Sequence, residues 1–331
     1  MKIVQRTLLC LWLLTSIRAA AQSPYILAVD EYVPAPGQFV NELPVATADD
    51  TPATMAQKCT EAIAAGNNGM ITLGACGGYV TFHFDHPVMN VEGQRDFAVW
   101  GNAFENNAEP AIVWVSQDTN GNGLPDDTWY ELKGSEYDNA KTIHQYVITY
   151  TFEAMQDVQW TDNQAQTGAV PRNKYHKQEY FPLWLTQQNA LTFTGCRLPD
   201  NAYLNESQTW LLPAFDYGYA DNQPNSNREG CSLDLGWAVD ANGQSVNLTH
   251  ADFFCVQNAM NQVCSSIGET STEITGAEDL HPNVSMNISS VANASQTQRI
   301  YTIYGQQTTQ LRKGLNIVSK GNGKTQKIFI K

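Results

Sequence analysis

From residue 79 onward the chain alternates between apolar and polar positions. In GGYVTFHFDHPV, Tyr79, Thr81 and His83 fall on one face of an extended segment, and Val80, Phe82 and Phe84 on the other. DFAVWGN, AIVWV, TWYEL and HQYVITYTF follow at short spacing, and ALTFTG, WLLPAFDYGYA, SLDLGWAV and ADFFCV complete the set. Many short strands separated by Gly, Pro, Asn and Asp turns predict an all-β, jelly-roll-like sandwich. Residues 25–47 form an extended opening segment broken by Pro34, Pro36 and Pro44. Residues 51–66 carry the one helical pattern. Thr51 can cap it, Met55, Cys59 and Ala62 share a face, and Gly66 stops it.

Both ends differ from this body. Residues 1–21 have a positive start at Lys2 and Arg6, an apolar core LLCLWLL, and Ala19-Ala20-Ala21 as a cleavage site, the pattern of a secretory leader. The residues before Cys10 make a poor lipid-attachment site, so no lipid anchor is expected. Residues 284–298 read as a polar, Ser/Asn-rich linker, and 299–331 as short strands with Gly-containing turns. The expected domains are therefore a leader (1–21), a β body (22–283), a linker (284–298) and a small C-terminal β domain (299–331). No internal repeat is present.

Charge sharpens this division. The chain carries 19 Lys/Arg and 33 Asp/Glu. Three basic residues lie in 1–21 and seven in 284–331, and neither segment has an acid. That leaves nine Lys/Arg against 33 Asp/Glu over 22–283, a net charge of −24. So acidic a body excludes nucleic acid and anionic lipid as partners, and suits divalent cations and neutral or cationic ligands.

Six cysteines follow the leader: Cys59, Cys76, Cys196, Cys231, Cys255 and Cys264. An exported chain with an even count is expected to hold bridges or buried thiols, and the pairing is not readable from spacing. There is no CxxC and no Cys/His cluster along the sequence, so zinc is not expected.

One loop stands out. Between AIVWV and TWYEL lies SQDTNGNGLPDD. Counting from Asp118, side-chain oxygens fall at positions 1, 3 and 5 (Asp118, Asn120, Asn122), the Leu124 carbonyl at 7, and Asp126 at 9. Alternate oxygens in a glycine-hinged loop converge on one centre, which is the front half of a calcium loop. Position 12 is Trp129 rather than a bidentate Glu, and the preceding element is a strand, so this is not an EF-hand. Asp127 or a distant carboxylate would complete the shell. The expected cofactor is Ca2+ in a structural role; the competing reading is an ordinary Asn/Asp-rich turn.

DYGYADNQPN places Asp216, Tyr217, Tyr219, Asp221 and Asn222 together, a set that could line a groove for sugars or flat macrocycles or merely cover the sandwich. Most tryptophans should be core, with Trp160 and Trp184, in less regular stretches, expected as exposed platforms. Asp85 with Asp96, or Asp216 with Asp221, could serve as the paired carboxylates of a glycosidase. His83 and His86 fit strand and turn positions better than a metal pair. No G-x-S-x-G, H-E-x-x-H or P-loop is present.

The motifs EYVPAPGQFVNELP, GGYVTFHFDHPVMNVEGQRDFAVWGNAF, VSQDTNGNGLPDDTWYELKGSEY, RLPDN, GWAVDANGQSVNL and GETSTEITGAEDLH cover most of residues 31–281. As a set they resemble secreted or cell-surface β-domain proteins of Bacteroidota. The tail, with YTIYGQQ, GLNIV and KIFIK, resembles the C-terminal sorting domains read by the type IX secretion machinery. The resemblance implies an exported, non-enzymatic binding module for surface nutrient capture. Some such proteins neighbour cobalamin uptake systems, which implies a glycan or corrinoid ligand and an outer-membrane transporter as partner. It assigns no binding residue. The alternatives are a carbohydrate-active enzyme using paired carboxylates and a structural or adhesion module of the surface.

Overall fold

The structure is a computed structural model. It describes residues 22–265 and 267–284, together with the strands at 299–302, 307–308, 314–319 and 325–330. The expected leader and nearly all of the linker lie outside the described residues.

The body is an all-β sandwich with one helix, as the alternating pattern predicts. Its larger sheet has six antiparallel strands, ordered Ala28–Val33, Tyr79–Met89, His250–Asn258, Ala111–Ser116, Trp129–Leu132 and Ala238–Val239. The late strand His250–Asn258 thus inserts between two early ones, so the sheet forms only after distant parts of the chain meet. A second antiparallel sheet is ordered Ala190–Arg197, Ile143–Thr151, Val158–Asp162 and Thr167–Val170. The last two strands form a hairpin over residues read as irregular in the sequence.

Alternation decides the two faces of the large sheet. Phe82, Phe254 and Val115 align across strands on the inner face and are buried. Phe254 stacks on Phe82 at 5.6 Å between ring centroids and meets Phe97 edge-on at 4.8 Å. Truncating such a ring to Ala costs about 3–5 kcal/mol. The helix, Pro52–Ile63, is capped by Thr51 with a reciprocal bond to Thr54, and lays Met55, Cys59 and Ile63 into the same core. Ala62 packs at its margin.

Bulges re-aim the strands. One lies between Val29 and Glu31, one between Ala251 and Phe253, and one between Gly195 and Arg197. At the third, His144 and Gln145 face the single residue Cys196, and along that strand burial passes from Leu191 and Phe193 on one face to Cys196 and Leu198 on the other.

The chain divides into compact units at Asn283/Val284, the position where the charge changes sign. The C-terminal unit holds one antiparallel four-stranded sheet, ordered Gln307–Thr308, Arg299–Thr302, Gly314–Ser319 and Thr325–Ile330.

All six cysteines of the described residues are free, and five of them are buried. The even count reflects thiols in the cores rather than bridges.

Candidate functional site

The outer face of the large sheet carries a cavity of about 800 Å³. Its floor is a single cross-strand rung. Glu31 stands opposite Thr81, Thr81 opposite Cys255, Cys255 opposite Trp114, Trp114 opposite Glu131, and Glu131 opposite Val239. Six strands thus contribute one side chain each. The period of two explains why: these positions alternate with the inward core residues, and all but the apolar Val239 at the edge are polar or amphipathic. Trp129 and Tyr79 extend the floor to either side of the rung.

The walls come from elsewhere. Thr194, Gly195 and Cys196 of the second sheet close one side, with His144 and Gln145 from the neighbouring strand. Gly195 lets the Gln257 amide lie against this wall, where a Cβ would stand 2.1 Å from Gln257 Oε1. Tyr137 and Asp138 form one rim and residues 240–243 another, where Gly243 takes a left-handed φ of 73°. Pro125, from the calcium-like loop, also lines the cavity.

The lining is acidic and aromatic. It includes Glu31, Glu131, Asp138 and Asp240 and no Lys or Arg. Lys133 pairs with Asp138 at 2.6 Å from outside the cavity. Burial pushes the Glu131 carboxyl up, while the Cys196 thiol bonded to it and nearby His144 pull it down. Burial, and then Glu131, push the Cys196 thiol far up, which leaves it protonated and a poor nucleophile at neutral pH.

At the wall, Cys196 Sγ donates to Glu131 Oε2 at 3.1 Å and lies 3.5 Å from His144 Nδ1. The sequence shows no Cys/His cluster because these residues are distant along it; the bulged strands bring them together. A second convergence, Glu109, Asp221 and Glu273, is wholly buried. Asp221 accepts from the backbone N–H groups of Asn102, Ala103 and Glu273. Glu273 accepts from Thr72, Ser271 and Asn102 side chains. Burial raises all three carboxyls, and the neighbouring acids raise Glu109 and Glu273 further.

The sequence-derived ligand residues lie apart from the cavity. Tyr219, Asp221 and Asn222 are buried. The Tyr219 hydroxyl accepts from Glu136 N–H at 2.8 Å, and the Asn222 amide bonds both backbone groups of Phe215. Asp216 and Tyr217 are exposed, with Tyr217 tilted against Trp237. The 216–225 segment is therefore largely a packed loop. Trp160 sits in the hairpin with its ring against Gly168, and Trp184 stacks on Tyr32 at 6.0 Å. Both are half-buried supports of the cores rather than exposed platforms.

The carboxylate pairs read from the sequence are also outside the cavity. Asp85 bonds His86, and buried Asp96 accepts from Val91 and Leu235 N–H. His83 and His86 point to opposite faces of their strand, held by Asp30 and by Asp279 respectively.

The 118–127 loop is tied together from within. Asp118 accepts from the N–H groups of Gly121, Asn122 and Gly123 at 2.8–3.1 Å. Asn120 and Asn122 use their oxygens on Asn122 N–H and Leu124 N–H, and turn their amide nitrogens to Asp126 at 3.0 Å. The Leu124 carbonyl accepts from Asp126 N–H, and Asp127 holds Thr119. Asp118 N–H donates to Asp252 Oδ2 at 2.8 Å, which docks the loop on the central strand. The donor set is all oxygen, as calcium requires, but Asp118, Asp126 and Asp127 are not among the convergent triplets of the described residues.

Comparison with known protein families finds no match, and comparison with curated proteins finds none either.

Proposed function

We propose that the body is a non-enzymatic ligand-binding module of an exported protein, and that the outer-face cavity takes a neutral or weakly basic, ring-bearing nutrient, either a glycan or a corrinoid. The rung Glu31–Thr81–Cys255–Trp114–Glu131 carries this reading. It offers an indole between hydrogen-bonding groups, the pairing that a sugar ring or flat macrocycle uses. The volume falls within the ordinary range for small-molecule sites, about 300–1,000 Å³. It favours a sugar-sized ligand, or one edge of a larger ring, over full enclosure of a macrocycle. A lining with four acids, of which Lys133 pairs only Asp138, disfavours anions.

The Glu31/Glu131 pair does not suit a glycosidase. Glu31 and Glu131 stand four strand spacings apart on the rung, roughly 19 Å at about 4.8 Å each, whereas paired glycosidase carboxylates stand about 5–9.5 Å apart.

Calcium in the 118–127 loop has a role in this scheme. It would draw Asp118, Asn120, Asn122, the Leu124 carbonyl and Asp126 onto one ion, with Asp127 near, and so fix Pro125 in the cavity wall. The C-terminal unit is proposed as the address read by the type IX machinery, with an outer-membrane transporter as the downstream partner.

Native mass spectrometry of the purified chain against cyanocobalamin and a panel of neutral oligosaccharides tests the central reading. A 1:1 complex with at least one of them is expected. Retention of none, or release of a cleaved sugar, contradicts it.

A further inference from the structure

We propose that Glu131, His144 and Cys196 form a binding site for one zinc-class divalent ion, with a fourth position open to the outer-face cavity. The three residues offer oxygen, nitrogen and sulfur donors that all lie within 4.8 Å of one another. Cys196 Sγ is 3.1 Å from Glu131 Oε2 and 3.5 Å from His144 Nδ1. Donors about 2.0–2.3 Å from a tetrahedral zinc stand roughly 3.3–3.8 Å apart. The cluster therefore needs only small side-chain shifts to close on an ion.

The imidazole is already oriented. His144 Nε2 lies 3.1 Å from the Tyr137 carbonyl, which can only accept, so Nε2 carries the proton. The Nδ1 lone pair is thereby directed at Cys196. A histidine whose remote N–H is held by a backbone carbonyl is the usual arrangement of a metal ligand. The Tyr137 ring packs on the imidazole at 4.4 Å and limits its rotation.

The backbone supports the same geometry. Gln145, next to His144, takes a left-handed φ of 53° without being glycine. With His144 it forms the two-residue side of a bulge whose single opposing residue is Cys196. This one bulge sets His144 and Cys196 against each other, and local strain of this kind gathers at functional sites.

Ligand chemistry selects the ion. Thiolate and imidazole favour zinc or cobalt over calcium, magnesium and manganese, which prefer oxygen. Binding replaces the Cys196 S–H bond by a sulfur–metal bond and releases that proton to solvent. Glu131 and the thiolate then balance the charge of the ion. All three ligands line the cavity, so the open position faces it. The inference does not depend on which organic ligand the cavity takes.

Cobalt titration of the full chain, freed of metal with chelator, tests the site. One equivalent of Co2+ should produce a near-ultraviolet thiolate-to-cobalt charge-transfer band, and one equivalent of zinc should displace it. Cys196→Ser should abolish the band, while Cys264→Ser, away from the cavity, should leave it intact. His144 is exposed, so His144→Ala should fold and should weaken cobalt binding at least tenfold. Absence of the band in the wild type overturns the proposal, as does its persistence in Cys196→Ser or unchanged affinity in His144→Ala. Oligosaccharide binding without the band would overturn the metal site alone; the band without oligosaccharide binding would leave it standing.

Discussion

Trp114 stands directly opposite Glu131 on the neighbouring strand, which sets an indole beside a carboxylate on the cavity floor. The pair tests where binding occurs. Trp114→Ala should raise the Kd for a retained oligosaccharide about tenfold or more, equivalent to roughly 1.4 kcal/mol. Tyr217→Ala and Trp160→Ala should leave it unchanged. Calorimetric titration reads both, with melting curves to confirm that each variant folds.

The loop makes a separate prediction. Ion binding to the native state alone stabilises by about 2.7 kcal/mol at a hundredfold excess over Kd. Chelation of calcium should therefore lower Tm by several degrees. Asp118→Ala should lower Tm as well, because three backbone N–H groups lose their acceptor. Its Tm should no longer respond to chelator. A wild-type Tm indifferent to chelator would leave the loop as a turn.

The buried acids predict a pH dependence of stability. Burial raises Glu269 from 4.5 to about 7, and Glu109 and Glu273 are also raised. A raised carboxyl holds its proton in the fold after the unfolded chain has lost it. Its stabilisation is complete below about pH 4.5 and is lost as pH rises through about 7. Glu109→Gln keeps the acceptor for Ser271 N–H and removes one titrating carboxyl from the cluster. It should raise Tm at pH 8 and make the decline shallower in a series of melts. A variant less stable than wild type at pH 8 would contradict this.

Much of the fold is legible in the sequence, and the cavity is less so. Alternation over Tyr79–Phe84 separates both faces correctly because Val80, Phe82 and Phe84 are all apolar, whereas buried His86 interrupts that face further on. The hairpin at Val158–Asp162 and Thr167–Val170 is hidden, since only Val158 and Val170 are buried and no periodic run marks it. Trp114 and Trp129 read as core because indole is usually buried. The available signal was Glu131, which shares a face with Trp129 and marks that face as polar. Asp221 and Tyr219 read as a groove because turn-rich aromatic segments are commonly surface loops, whereas these side chains satisfy buried backbone groups. Cys196 and His144 could not be paired from spacing, since their meeting depends on bulges.

The division at Asn283 predicts independence of the two units. Deleting 299–331 should abolish surface delivery and leave the Tm of the purified body within a degree or two. A much lower Tm or aggregation would make the tail an integral part of the body.

The most direct test of the ligand site is the position of a bound molecule. A crystal of the body soaked with a retained oligosaccharide should show a sugar ring over Trp114, with hydroxyls near Glu31 or Glu131. Density on Tyr217 and Asp216, with the outer-face cavity holding only water, would contradict the account.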